Sequence, residues 1–200
     1  MPYSDDHKRQ TRAKIVESAR VLFNRHGFDG VTIDALMEAA GLTRGGFYNH
    51  FKSKDALYSE AVSSFLMGRG AEWRADAGID PSRPDPDMTR QMIQSYLSNE
   101  HLGDLDGQCP MIALPSDVAR ASPAVQESYQ KLLTSMVGLF ETGLDEQGCE
   151  TRQNALSLAA LCVGGMILAR TLPDADLASE IRVAALQTAD RIMQNQATRM

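Results

Sequence analysis

VTIDALMEAAGLTRGGFYNHFKSK, residues Val31 to Lys54, is the stretch that decides the fold of this chain. Thr32 is placed to N-cap a helix over 33–40, whose apolar residues Ile33, Leu36, Met37 and Ala40 fall at helical spacing. Gly41 supplies the left-handed residue that ends such a helix. Leu42 is an apolar plug, and Thr43 is expected to cap a second helix running through about Asn49. Two short helices meeting at a steep angle around a glycine turn form a helix-turn-helix, whose second member is slim enough for a DNA major groove. The same turn occurs in proteins that never touch DNA. The polar face of the second helix therefore carries the decision.

That face holds Thr43, Arg44, Tyr48, Asn49 and His50, while Leu42, Phe47 and Phe51 point inward. Arg44 sits in the first turn, from which DNA-reading helices reach base edges, and an arginine there can bond a guanine with two hydrogens. Gly45 and Gly46 cost a helix roughly 1 kcal/mol each relative to Ala, but they let the backbone approach a groove closely. Thr43, Tyr48, His50 and Lys54 carry donors suited to phosphate oxygens. Lys54 follows Ser53, the expected cap of the next helix, and a helix N-terminus beside a lysine accepts a phosphate readily. The competing reading of the same residues is a solvated polar face with Tyr48 half-buried.

Preceded by KIVESARVLFNRHGFDG (Lys14 to Gly30), the segment Thr32 to Lys54 resembles the N-terminal domain of TetR-type (tetracycline-repressor family) transcriptional regulators. The likeness covers about the first 60 residues. It is specific, because the helix lengths, the AAGLT turn, the FYNHF run and SKDAL occur in order. The resemblance implies that Arg44, Gly46 and their neighbours face bases, and that Thr43, Tyr48, His50 and Lys54 grip phosphates. Gly46 stands where many members carry Thr or Ser, so a hydroxyl contact is missing there and a base preference does not transfer.

Composition fits this reading. Two hundred residues with 43% hydrophobic content can bury a real core. The longest apolar run, Leu156 to Ala169, is interrupted by Ser157 and two glycines and falls short of the roughly 18–20 residues of a membrane span. The N-terminal MPYSDDHKRQ lacks a signal peptide's apolar stretch. Three widely spaced cysteines, Cys109, Cys149 and Cys162, match neither a zinc set nor a disulfide framework, so a reducing, cytoplasmic compartment is expected. No cofactor or metal is called for. Net charge is −6, yet residues 1–58 hold nine Lys/Arg against seven acids, a +2 head on a −8 remainder. An electrostatic footprint confined to one end follows, with modest non-specific binding and reliance on a dimer for affinity.

The first helix is expected from about Lys8 to Arg25, with Ile15, Ala19, Leu22 and Phe23 inward; Lys8, Arg9 and Arg12 are solvated or brush the DNA backbone. A long helix from Lys54, carrying Leu57, Ala61, Phe65 and Leu66, is the expected rod into the second half. Asp76 to Asp87 reads as a loop with three prolines. Helices are predicted at about 88–99, 109–120, 122–147, 151–171 and 177–196, with Ser122 capping one of them and Gly148 ending it. The chain is thus all-α: a three-helix helix-turn-helix domain over 1–54 and a helical effector-binding and dimerisation domain over 55–200.

In the last two helices, Leu156, Ala160, Val163, Gly164 and Ile167 form one apolar stripe, and Leu177, Ile181, Ala184, Ala185, Thr188 and Ile192 a second. Together they either build a four-helix bundle across a two-fold axis or pack within the subunit; the resemblance implies a homodimer presenting two heads roughly 34 Å apart to a near-palindromic double-stranded operator. It also implies a small-molecule pocket in the second domain. Phe65, Met92, Tyr96, Cys109, Met111, Leu114, Leu132, Met136, Phe140, Cys162 and Met166 suit an adaptable apolar cavity for an apolar or neutral effector, and serve equally well as dry core. Cys109, in GQCPM before Pro110, is either a reactive thiol at a helix start or a structural residue. A Gly-x-Cys-Pro segment occurs in one TetR branch that the body resembles more loosely. Three functions stay open: a ligand-responsive repressor, sensing a ligand or an electrophile; an effector-independent DNA-binding activator; and an all-α enzyme. The last lacks support, since His7, His26, His50 and His101 lie far apart and no HExxH, GxSxG or phosphate loop appears.

Overall fold

Short polar side chains fix several helix starts in this protein. In the computed structural model, which describes residues 5–144 and 149–197, Thr32 Oγ1 accepts from the Ala35 amide at 3.1 Å, and Ser53 Oγ from Ala56 at 3.0 Å. Asp85 and Ser98 cap in the same way, accepting from Met88 and His101. Gly27 (φ 70°) and Gly41 (φ 68°) supply the left-handed residues that close the first two helices. The resulting helices are α1 (Asp5–His26), α2 (Ile33–Ala39), a 3-10 helix (Arg44–Asn49), α3 (Lys54–Ser64), α4 (Arg69–Asp76), α5 (Pro86–Tyr96), α6 (Asn99–Gly103), α7 (Pro110–Ala113), α8 (Pro115–Arg120), α9 (Pro123–Gly143), α10 (Cys149–Thr171) and α11 (Ala175–Ala197). No strand occurs among the described residues, and the fold is all-α as expected.

Several expectations are corrected. The rod from Lys54 stops at Ser64: the Ser64 hydroxyl turns back onto the Ala61 carbonyl at 2.8 Å, and Gly68 lies in the turn before α4. The helix predicted over 109–120 is two, because Pro115 disfavours helical backbone at Leu114 (φ −124°, ψ 13°). Helix α6, with its own serine cap, was not anticipated. Ser122 precedes Pro123 at the start of α9 as expected, its carbonyl accepting from the Gln126 amide at 3.1 Å, and its hydroxyl donates to Asp55 Oδ2 at 2.7 Å. The predicted stop at Gly148 lies outside the described residues.

Contacts divide the chain into two units: residues 1–69 with 105–131, and residues 70–104 with 132–200. In the first, Ile15, Ala19 and Phe23 of α1, Leu36 and Met37 of α2, Phe47, Phe51, and Leu57 and Tyr58 of α3 form a dry core. Phe23 and Phe28 set their rings against Tyr58, with centroids 4.8 and 4.9 Å apart. The outer side of α1 holds the 105–131 segment. Asn24 Nδ2 donates to the Gln108 carbonyl at 2.7 Å, buried Arg20 to the Asp106 carbonyl at 2.5 Å, and Arg25 pairs with the Asp106 carboxylate.

In the second unit, α10 and α11 pack on each other and on α5. A side chain at Gly165 would press on Ala185 and Leu97, at 3.2 and 3.3 Å, so this glycine permits the close approach. Buried Arg182 of α11 donates to the Leu97 carbonyl at 2.9 Å and to Asn99 Oδ1 at 2.5 Å. In the same unit the Tyr96 ring meets Trp73 and His101 edge-on, and the Trp73 and His101 rings lie tilted on each other with centroids 5.1 Å apart. Within Glu150–Thr171 an 18-residue stretch has a mean hydropathy of 1.4, so that, contrary to expectation, this helix is long and apolar enough by composition to cross a membrane. A core helix passes that test equally well, and Ala155, Leu158, Ala159, Cys162, Met166 and Ala169 are buried in this unit. The helix is apolar because two of its faces are.

Candidate nucleic-acid interface

Six residues with two glycines cannot sustain an α-helix, and the segment after the Gly41 turn tightens into 3-10 form, with Gly46 N–H on the Thr43 carbonyl at 3.0 Å. Thr43 precedes it in extended conformation and makes no side-chain cap bond, which corrects the expected α-helix and its cap. Fully buried Phe47 and nearly buried Phe51 anchor this helix, the candidate reading helix, from beneath, their rings 5.8 Å apart. The opposite side is open: Thr32, Thr43, Arg44, Gly45, Tyr48 (64% exposed) and Asn49 face solvent, and Gly46, His50 and Lys54 are half-buried at its edge. A Cβ at Gly45 would meet nothing within 4 Å, so packing does not require glycine there.

Individual side chains depart from the simple picture of free donors. Thr32 Oγ1 serves as the acceptor of its cap, a bond that does not use the hydroxyl proton. Arg44 Nη1 donates to Asp34 Oδ2 at 2.7 Å. Lys54 turns inward, bonding the Phe28 carbonyl with its ammonium 4.2 Å from the Phe28 ring centroid; burial lowers its pKa and Asp29 partly offsets that. His50 Nδ1 is buried with no hydrogen-bond partner. Burial, followed by the charges of Lys8 and Arg12, holds this imidazole below its ordinary pKa and keeps it neutral at pH 7.

Arg12 is a residue whose part the sequence did not disclose. Its guanidinium bonds the His50 carbonyl at the end of the reading helix, clasps Glu60 of α3 (Nε to Oε1, 3.0 Å), and lies 4.1 Å over the Phe51 ring. It is half-buried and engaged within the head rather than placed as a free phosphate donor. Its partners stand 38 and 48 residues away, beyond any local pattern.

The residues expected to line an effector cavity are all buried, and they divide between the two units: Phe65, Cys109, Met111 and Leu114 in the first, and Met92, Tyr96, Leu132, Met136, Phe140, Cys162 and Met166 in the second. Cys109 is 2% exposed and starts a helix of only four residues, too short for much dipole at its N-terminus. Burial pushes the Cys162 thiol far up. No three His, Cys, Asp or Glu side chains are grouped to hold a metal among the described residues.

On α10 and α11 the two apolar stripes lie mostly outside the core. Leu156, Ala160, Leu177, Ala184 and Thr188 are exposed, and Val163, Gly164, Ile167, Ile181 and Ile192 are half-buried. Ala185 departs from the set, buried opposite Gly165. Leu168 and Val183 extend the uncovered apolar surface.

Residues 15–61, which hold α2, the reading helix and most of α1 and α3, match the model of bacterial regulatory proteins of the tetR family. The repressor AcnR of Corynebacterium glutamicum is 40% identical over 104 residues, covering 48% of this chain and 55% of that protein. The regulator LmrA of Bacillus subtilis is 25% identical over 178 residues, covering 86% and 89%. This chain spans 29–55% of the length of the first curated repressors it matches. Reduced NemR of Escherichia coli shares the fold, with a TM-score of 0.75 at 20% identity over 91% of this chain and 96% of that one. The glycine turn, the phenylalanine-anchored 3-10 helix and the α3 cap all fall inside the matched span, so over residues 15–61 the chain carries the N-terminal domain of tetR-type bacterial regulatory proteins.

Proposed function

We propose that this regulator is a cytoplasmic repressor that binds a near-palindromic operator as a homodimer and lets go when a small apolar or neutral molecule occupies its helical body. The observation that carries the reading is the two-sidedness of the 44–49 helix, with Phe47 fixed in the core and Arg44, Gly45, Tyr48 and Asn49 offered to solvent. Arg44 and the backbone at Gly45 and Gly46 are assigned to base edges, and Thr43, Tyr48, His50 and Lys54 to phosphates. Lys54 reaches a phosphate only by releasing the Phe28 carbonyl.

Dimerisation is supported by the second apolar face of α10. An apolar helix face is normally covered, and Leu156, Ala160 and Leu168 on the second such face of α10 are exposed. Methionine-rich packing in the second unit (Met92, Met136, Met166) suits an adaptable effector site. A gel shift with DNA flanking the protein's own gene tests operator binding, and its repetition with apolar compounds tests release. A monomer indifferent to duplex DNA at low salt ends this reading.

A further inference from the structure

The geometry points to Asp34 as a specificity-determining residue that holds Arg44 in the direction from which it reads a base; the inference rests on the DNA-binding function proposed above. Asp34 lies in the first turn of α2, ten residues before Arg44 and across the Gly41 turn from it. Its Oδ2 accepts a single hydrogen bond, at 2.7 Å, from Arg44 Nη1. Both side chains are well exposed, Arg44 at 63% and Asp34 at 57%, so neither is held by burial. A guanidinium has five donors in a planar fork, and this contact uses one, leaving the rest free for a guanine O6 and N7.

Without Asp34, an arginine on a reading helix this open samples many rotamers, since Gly45 beside it offers no side chain to pack against. A carboxylate is also an unfavourable neighbour for phosphates. Its presence on this surface therefore lowers affinity for DNA in general while fixing the one contact that discriminates. Asp34 thus acts through Arg44 and is a positioning residue. Its removal has two opposite consequences: random duplex is bound more tightly, and the preferred sequence loses its advantage.

The probe is the duplex that the wild-type protein enriches from a randomised pool, together with single-base-pair variants of it and an unrelated duplex of equal length. Asp34→Asn keeps the size and helix position of the side chain and removes its charge. The expected result is a severalfold gain on unrelated DNA and a drop of about tenfold in the ratio of selected to unrelated binding, concentrated at one base pair. In an Arg44→Ala background the same change gives only the general gain. An Asp34→Asn protein that keeps the wild-type ratio, or one whose ratio falls equally in the Arg44→Ala background, overturns the assignment. Failure of the wild-type protein to enrich any duplex strikes instead at the DNA-binding reading itself.

Discussion

Replacing Arg12 by alanine removes three contacts at once and decides whether this residue holds the head together or touches DNA. The bond to the His50 carbonyl is charge-assisted and half-buried, worth about 1.5 kcal/mol. The Glu60 pair is 39% and 38% exposed at its two ends, so screening reduces it to under about 1 kcal/mol. The stack on Phe51 adds about 0.5–1 kcal/mol. These terms share one side chain and do not add fully, which leaves a net loss of about 2 kcal/mol. For a chain of this length, that lowers Tm by roughly 4–8 °C. The assay pairs thermal unfolding with the salt dependence of binding to the selected duplex. A structural clasp predicts a lower Tm, weaker binding on every sequence and an unchanged slope of log K against log salt, whereas Glu60→Gln gives the same pattern at smaller size. An unaltered Tm with the slope reduced by about one would mean that Arg12 grips a phosphate, and the clasp would be wrong.

Gly143→Ala places a methyl on Thr89 Oγ1 and 3.0 Å from the Asp85 carbonyl. Thr89 is fully buried and Asp85 caps α5, so neither yields easily; destabilisation of about 1–3 kcal/mol is expected in chemical denaturation despite the roughly 1 kcal/mol that Ala gains in a helix. A neutral or stabilised variant would show that the helices part freely at that point. Leu156→Glu combined with Ala160→Glu should leave a folded monomer by light scattering and weaken operator binding by more than tenfold; a persistent dimer moves the interface off α10. His50 has a folded-state pKa below its unfolded value of about 6.5, so the unfolded chain takes up its proton first. Its contribution to stability is whole above pH 6.5 and declines as the pH falls through that value, levelling below the folded pKa. His50→Gln should flatten that decline in a denaturation series from pH 7.5 to 5.5, and an identical pH profile would remove His50 as its source.

Much of the head was legible because its determinants are local. Thr32 and its helix, the Gly41 turn, the Ser53 cap and the inward Phe47 and Phe51 are all set by neighbours within four or five residues, where capping chemistry and helical spacing operate. The 3-10 form of the reading helix was foreshadowed by Gly45 and Gly46, whose low helix propensity was read as groove access rather than as a change of helix type. What escaped was non-local. Nothing near Arg12 announces Glu60 or the His50 carbonyl, and nothing near Ser122 announces the Asp55 carboxylate that accepts a hydrogen bond from its hydroxyl. Hydropathy alone also could not tell Ala185 from Ala184, since both sit in the same stripe and only Gly165 opposite decides which one is covered.

The residues around Phe28 show why the reading helix is not set by 31–54 alone. The Phe28 amide donates to Asp117 Oδ2 of α8 at 3.1 Å, while its carbonyl accepts from Lys54, the first residue of α3 and four positions after His50. One residue thus joins α8 to the helix that begins where the reading helix ends. Asp117 can come so near only because Gly27 has no Cβ; a side chain there would collide with the carboxylate. Behind this junction, buried Arg20 and Asn24 hold the Asp106 and Gln108 carbonyls. Separating these groups would leave buried donors unpaired at about 1–3 kcal/mol each, whereas moving them together breaks nothing. These bonds tie residues 105–120 to α1. Phe28 therefore links α8 to Lys54 through one residue, close to the segment that carries Arg44, Tyr48 and Asn49.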